Sequence, residues 1–154
     1  DRGYDVTSSD HDEGLVDAIR QRAMRSGHEL RAMRLDATAL GAVDDDSVDL
    51  VLMVQAARHF SPGQLAVLVA SARRIARRAV VLVCGRRGLM SLGAFTSAGL
   101  LIPGAGRSFA HAARKIYSEE ELRTLVTLAS QRDPVRVVRT AAGQVSLIVR
   151  RAGV

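Results

Sequence analysis

Only one cysteine, Cys84, occurs in the 154 residues. That excludes an intrachain disulfide framework and a cysteine-based metal cluster, and makes a reducing cytoplasm the expected location. Tryptophan is absent and aromatic residues make up 3% of the chain, so few platforms exist on which unpaired bases could stack. Lysine is nearly absent too: Lys115 is the only one, and the net charge of +6 is carried by arginine. A basic chain suits an anionic partner. Arginine beside abundant alanine, valine and leucine reads instead as codon bias, which weighs against nucleic acid. No apolar run reaches the ~20 residues of a membrane span, and the longest, residues 88–105, is broken by glycines and Pro103. No signal-like segment is expected. Asp1 stands in place of an initiator methionine and a strand follows almost at once, so the chain is expected to be a piece of something longer.

What is present is an alternation of strands and helices. An apolar share of 47% with 25% charged residues fits one globular domain over 1–154. Tyr4–Ser9 reads as a strand, and Asp12–Arg25 as a helix with Leu15, Val16, Ile19 and Ala23 on one face, ended by Gly27. A strand follows around Leu30–Leu35, then the loop "DATALGAVDDDS". The continuous apolar runs Val48–Val54 and Ala79–Cys84 predict strands buried on both faces. Between them, Ser61-Pro62-Gly63-Gln64 opens a helix with a capping serine, a proline at its first position and a reciprocating glutamine. Residues 88–108 are small, apolar and glycine-broken and predict a flexible insert or lid. Ser118 with Glu121 starts a late helix, and "VRVVRT" and "QVSLIVRR" predict a closing hairpin. The order implies an α/β fold, a doubly wound and mostly parallel sheet ending in an antiparallel hairpin.

Ligands of such sheets lie beyond the carboxyl ends of the strands. Asp10, Asp36-Ala37, Gln55 to His59 and Cys84 to Arg87 occupy those ends in turn. Two acids at neighbouring strand ends suit a nucleoside, because one carboxylate accepts both ribose hydroxyls and a second accepts an adenine amino group.

The run from Tyr4 to Phe60 also resembles the middle of a class I S-adenosylmethionine-dependent methyltransferase. The matching residues are Asp10, then Asp36-Ala37 with Leu40, then Ser47-Val48-Asp49-Leu50-Val51, then Arg58-His59-Phe60. "LAVLVASARRIARRAVVLVC" and "YSEEELRTLV" are similar to later helices and strands of that family, so the likeness spans most of the chain. It implies a Rossmann-like fold and S-adenosylmethionine as cofactor. Asp10 and His11 would lie at the ribose, Asp36 at the adenine amino group and Ala37 N–H at a ring nitrogen. Val54 and Gln55 would lie along the methionine end. A small-molecule methyl acceptor is implied, with His59 as a candidate base and His111 as a candidate substrate contact. The family's G-x-G-x-G loop is missing, and would belong to a first β-α unit preceding Asp1. The chain is therefore expected to be an incomplete, N-terminally truncated catalytic domain that binds the cofactor weakly or not at all.

Each of these residues also has a plainer role. Asp10 serves equally as a helix cap, and Asp12 and Glu13 as first-turn charges. Asp44-Asp45-Asp46 reads as a solvated turn and Asp49 as an acceptor for nearby backbone inside a buried strand. Cys84 reads as a small buried hydrophobe. His59 and His111 are equally ordinary surface or packing residues, and the arginines from Arg73 to Arg87 either form an anion-binding face or solvate a helix flank. Three further functions compete: another nucleotide-cofactor enzyme, a non-catalytic module that kept the fold, and a basic nucleic-acid binder. The oligomeric state is left open.

Overall fold

The structure is a computed structural model that describes residues 3–85, 117–131, 133–140 and 144–152. The predicted insert at 88–108 and His111 lie outside the described residues. The chain divides into two compact units, Asp1–Ala42 and Val43–Val154, each described by itself.

The first unit is strand β1 (Thr7–Asp10), helix α1 (Glu13–Arg25), strand β2 (Arg31–Arg34) and a 3-10 segment, Ala37–Ala42. β1 and β2 pair in parallel, Thr7 opposite Arg31 through Asp10 opposite Arg34. The helix begins one residue later than expected because Asp12, not Asp10, is its cap: its carboxylate accepts from the N–H groups of Gly14 and Leu15. Gly27 takes φ +66 just past the helix, the left-handed geometry that a glycine reaches without strain. The apolar face is thinner than the sequence pattern suggests, with Val16 and Ala23 buried and Leu15 exposed. Polar contacts reinforce it: the Arg20 guanidinium donates twice to the Ala32 carbonyl, at 3.2 and 2.8 Å, and fastens α1 to β2.

The second unit holds β3 (Val48–Val54), a 3-10 turn (Ala57–His59), α2 (Pro62–Ile75), β4 (Ala76–Gly85), α3 (Glu119–Ala129), β5 (Val135–Arg139) and β6 (Gln144–Arg150). Its four strands run in the order β3-β4-β6-β5. β3 and β4 are parallel, while β6 is antiparallel to both β4 and β5, so the closing hairpin is as expected. Both capping boxes form, Ser61 with Gln64 and Ser118 with Glu121. α2 runs into β4 with no intervening loop, so β4 starts at Ala76 rather than Ala79. Leu65, Leu68, Val69, Ala72 and Ile75 from α2 and Leu122 and Val126 from α3 bury against one face of the sheet, built from Val80, Leu82, Cys84, Val145, Leu147 and Val149. Emptying one such position, as in Leu68→Ala, would cost about 2–5 kcal/mol.

The fold class is therefore α/β with a mixed sheet and antiparallel carboxyl-terminal strands. The continuous sheet expected from sequence is instead two sheets among the described residues. β3 also departs from expectation. Among the described residues it is an edge strand rather than a doubly buried one, and Leu50, Leu52 and Val54 are 52%, 57% and 57% exposed. They share a face with Ala79, Val81 and Val83, their register partners on β4. Asp49 is likewise not buried: it lies 3.7 Å from Arg77 and 3.8 Å from Arg78 in an exposed cluster.

Candidate cofactor site

In the first unit the ends of β1 and β2 bring the two sequence-predicted acids to neighbouring positions. Leu35 N–H donates to the Asp10 carbonyl at 2.9 Å, so pairing continues past Arg34 and Asp36 follows immediately. One Asp10 carboxylate oxygen, Oδ1, accepts from Asp12 N–H at 3.0 Å and lies 3.1 Å from His11 Nδ1. Its side chain is about one-third exposed, and the second oxygen accepts no hydrogen bond among the described residues. His11 is exposed; its carbonyl accepts from Arg34 Nε at 3.1 Å, which fixes the loop after β1 from the end of β2.

Asp36 closes a tight turn of its own. Its Oδ1 accepts from Thr38 N–H at 2.8 Å and from Thr38 Oγ1 at 2.7 Å. These two bonds, the hydroxyl first, hold the Asp36 carboxyl below its ordinary pKa, with smaller help from His11 and Arg34. Asp36 is thus a firmly ionised, exposed acceptor. Ala37 opens the following 3-10 segment; the N–H groups of Thr38 and Ala39 go to the Asp36 carboxylate and carbonyl, so Ala37 N–H is the one left without a hydrogen bond among the described residues. Thr38 and Arg34 are functional neighbours that sequence reasoning passed over. The Asp-x-Thr spacing is the signal for Thr38, since an aspartate reaches backbone and hydroxyl two residues on.

In the second unit the end of β3 is strained and tied to β4. Gln55 adopts φ +56, a left-handed conformation that costs a non-glycine residue about 1 kcal/mol or more. Its N–H donates to the Val83 carbonyl at 2.7 Å, and its side-chain Oε1 accepts from Gly85 N–H at 3.2 Å. Val54 precedes it with its side chain exposed. His59, also exposed, accepts from Arg58 Nε on its Nε2 at 3.2 Å, which puts the ring proton of the neutral imidazole on Nδ1 and leaves Nε2 as the nitrogen with the lone pair. Tyr117 Oη donates to the Phe60 carbonyl at 2.7 Å and fixes the loop after β3 from the start of α3. Cys84 is buried, and burial pushes its thiol up to about 11, which makes it a packing residue rather than a nucleophile.

The arginines of 73–78 are committed to structure. Arg73 pairs with buried Asp133, Arg74 with Asp45, and Arg151 with Asp46, so the acidic turn is a set of ion-pair partners rather than a purely solvated one. Among the described residues no group of three or more His, Cys, Asp or Glu could hold a metal ion. No helix among them is long and apolar enough to cross a membrane.

The donor and acceptor types fit S-adenosylmethionine. An ionised acceptor (Asp36) lies beside a backbone donor (Ala37), and a second carboxylate (Asp10) keeps one oxygen clear. The fold points the same way. The structure is similar to that of PH0226 protein from Pyrococcus horikoshii OT3, with a TM-score of 0.71 at 14% identity over 96% of this chain and 72% of that one. It is similar to magnesium protoporphyrin IX methyltransferase (ChlM) from Synechocystis PCC 6803 with bound SAH, with a TM-score of 0.67 at 19% identity over 96% and 64%. A SAM-dependent methyltransferase from Aquifex aeolicus gives a TM-score of 0.69 at 15% identity over 94% and 68%. The chain thus spans roughly two thirds of the length of these structures. No curated protein matches it in sequence. The profile of a family described as "Methyltransferase domain" matches residues 1–79, just over half of the 154 residues. The chain belongs to the class I methyltransferase family, whose cofactor is S-adenosylmethionine.

Proposed function

We propose that the protein carrying this chain transfers a methyl group from S-adenosylmethionine to a small-molecule acceptor in the cytoplasm. The observation that supports this most is the Leu35–Asp10 hydrogen bond, which holds Asp10 and Asp36 at adjacent parallel strand ends. The cofactor, when bound, supplies an electrophilic methyl on a sulfonium. Asp10, with His11 beside it, accepts the ribose hydroxyls. Asp36 accepts from the adenine amino group, and Ala37 N–H donates to a ring nitrogen. Methyl transfer is an in-line displacement, so these residues contribute chiefly by positioning. An acceptor that must lose a proton would give it to Nε2 of His59, the nitrogen with the lone pair, in place of its bond from Arg58.

The glycine-rich loop that approaches the methionine end in this family is absent from the 154 residues. We place it on a further strand of the same protein, paired to the open edge of β3; the exposed Leu50, Leu52 and Val54 support that placement. On this reading the chain is an incomplete catalytic domain. The apolar composition of residues 88–108 supports a small acceptor rather than a polymer, and His111, just after it, is proposed as an acceptor contact. Nucleic acid is not part of the proposal.

The test is to titrate the complete protein with S-adenosylhomocysteine and, separately, with NAD. Saturable binding of the first alone is expected. Binding of NAD alone would point to another nucleotide-cofactor enzyme, and binding of neither would point to a non-catalytic module.

A further inference from the structure

Asp10 already holds a partner. Its Oδ1 accepts from the Asp12 N–H at 3.0 Å and lies 3.1 Å from His11 Nδ1. A carboxylate only accepts, so the proton of a neutral His11 ring belongs on Nδ1. The Asp12 donor is main chain and fixed in place. The His11 donor is a side chain 82% exposed. Its backbone is pinned, because Arg34 Nε donates to the His11 carbonyl at 3.1 Å. The ring is therefore tethered within reach of Asp10 and free to swing off it. Imidazole is also the side chain that ordinarily gains its charge between pH 8 and 5. A neutral ring gives Asp10 an ordinary hydrogen bond, and a protonated ring gives it a charge-assisted one, about twice as strong.

The other charged groups around His11 have settled partners. The Asp12 carboxylate caps α1 through Gly14 and Leu15. Glu13, in the first turn of α1, lies 3.6 Å from Arg20, which also pairs with Asp17. From the end of β2 come Arg34, bonded to the His11 carbonyl, and Asp36, bonded to Thr38. Those Thr38 bonds hold the Asp36 carboxyl below its ordinary value, so it stays ionised in mild acid. Among these groups only His11 is of the type that changes charge between pH 8 and 5.

We infer that His11 is a pH-sensitive competitor for Asp10: as a neutral ring it yields Oδ1 to a ribose hydroxyl, and as a cation it keeps the carboxylate for itself. This rests on the S-adenosylmethionine reading above. The sign follows from the ion pair. A ligand that displaces the cationic ring breaks that pair, so His11 gives up its proton to solvent on binding. Affinity therefore falls as pH falls.

The experiment is isothermal titration of the complete protein with S-adenosylhomocysteine from about pH 8 to about pH 5.5, for wild type and His11→Gln. The ligand's own amino, carboxyl and adenine groups titrate outside that window. His11→Gln keeps the main-chain carbonyl that Arg34 binds and loses the titrating ring. The wild-type dissociation constant should rise about five- to tenfold as pH falls through this range, and that of His11→Gln about twofold or less. At about pH 6 the wild type, titrated in two buffers of different ionisation enthalpy, should release protons on binding. That readout needs no variant, and a merely structural histidine would not give it. A wild-type constant that does not change, an affinity that rises as pH falls, binding without proton release, or the same pH dependence in His11→Gln would each overturn the inference. A wild-type protein that binds no S-adenosylhomocysteine even at the alkaline end would instead remove the cofactor reading on which the inference stands.

Discussion

Leu35 donates its main-chain N–H to the carbonyl of Asp10 at 2.9 Å, one residue beyond the last register pair of β1 and β2. The bond spans residues 25 apart in sequence and brings Asp36 alongside Asp10. Around it the local chemistry is prearranged: Thr38 orients one acid, and Asp12 N–H with His11 orients the other.

Asp36 should keep its charge in mildly acidic solution. Its folded pKa is depressed, so the ionised carboxylate and the bonds it accepts are present above its ordinary pKa and are lost as pH falls through the lowered one. Replacing Thr38 by valine removes the hydroxyl, the larger of the two stabilising bonds. A carbon-detected NMR titration of the Asp36 carboxyl should then move upward towards the ordinary carboxylate value. An unmoved titration would show that Thr38 does not control it.

Asp133 is the stability counterpart. It is 7% exposed, pairs with Arg73, and accepts from Ala152 N–H at 3.0 Å, so it joins α2 to the segment after β6. Burial pushes its carboxyl up, yet the Arg73 guanidinium and the Ala152 N–H together outweigh burial and hold it below its ordinary value. Its contribution is therefore complete near neutrality and is lost as pH falls through that lowered pKa. Asp133→Ala should cost about 2 kcal/mol in urea unfolding at pH 7, and less in strong acid, where the wild type has already lost the pair.

Much of this architecture was legible in the sequence. Ser61 with Gln64 and Ser118 with Glu121 announce their helices because capping is local chemistry, set by residues three apart. The order of elements and the acids at the strand ends follow from periodicity and composition. The exposure of β3 was not legible. The run Val48–Val54 has the composition of a central strand, and composition reports what a strand is suited to bury, not whether a neighbour lies beside it. Asp12 displaced Asp10 as the helix cap because only the structure distinguishes which of three nearby acids reaches the Gly14 and Leu15 N–H groups. The left-handed turn at Gln55 was equally hidden, since glutamine carries no sequence signal for positive φ.

The open edge of β3 makes a prediction that separates the chain from the complete protein. In the 154-residue chain, Leu52→Lys should change stability by no more than about 0.5 kcal/mol, because the side chain is already exposed. The same change should reduce self-association measured by light scattering, since charge on an edge strand blocks strand-to-strand pairing. In the complete protein, where we place a further strand against β3, it should destabilise by about 2 kcal/mol. Equal effects in both forms would refute that placement.

Cys84 should be silent towards thiol reagents. Its thiol is buried and raised to about 11, so almost no thiolate exists at pH 8. Labelling by a maleimide should be slow in buffer and rapid in denaturant. Fast labelling of the folded protein would show that the end of β4 opens readily.

The account stands or falls on Asp10. Isothermal titration of the complete protein with S-adenosylhomocysteine, wild type against Asp10→Ala, measures it directly. Loss of the carboxylate that accepts the ribose hydroxyls should raise the dissociation constant by about a hundredfold. Asp10→Asn, which keeps an oxygen for Asp12 N–H, should show a loss of the same sense with the fold intact by circular dichroism. An Asp10→Ala variant that binds S-adenosylhomocysteine as tightly as the wild type would contradict the ribose role, and with it the proposed site.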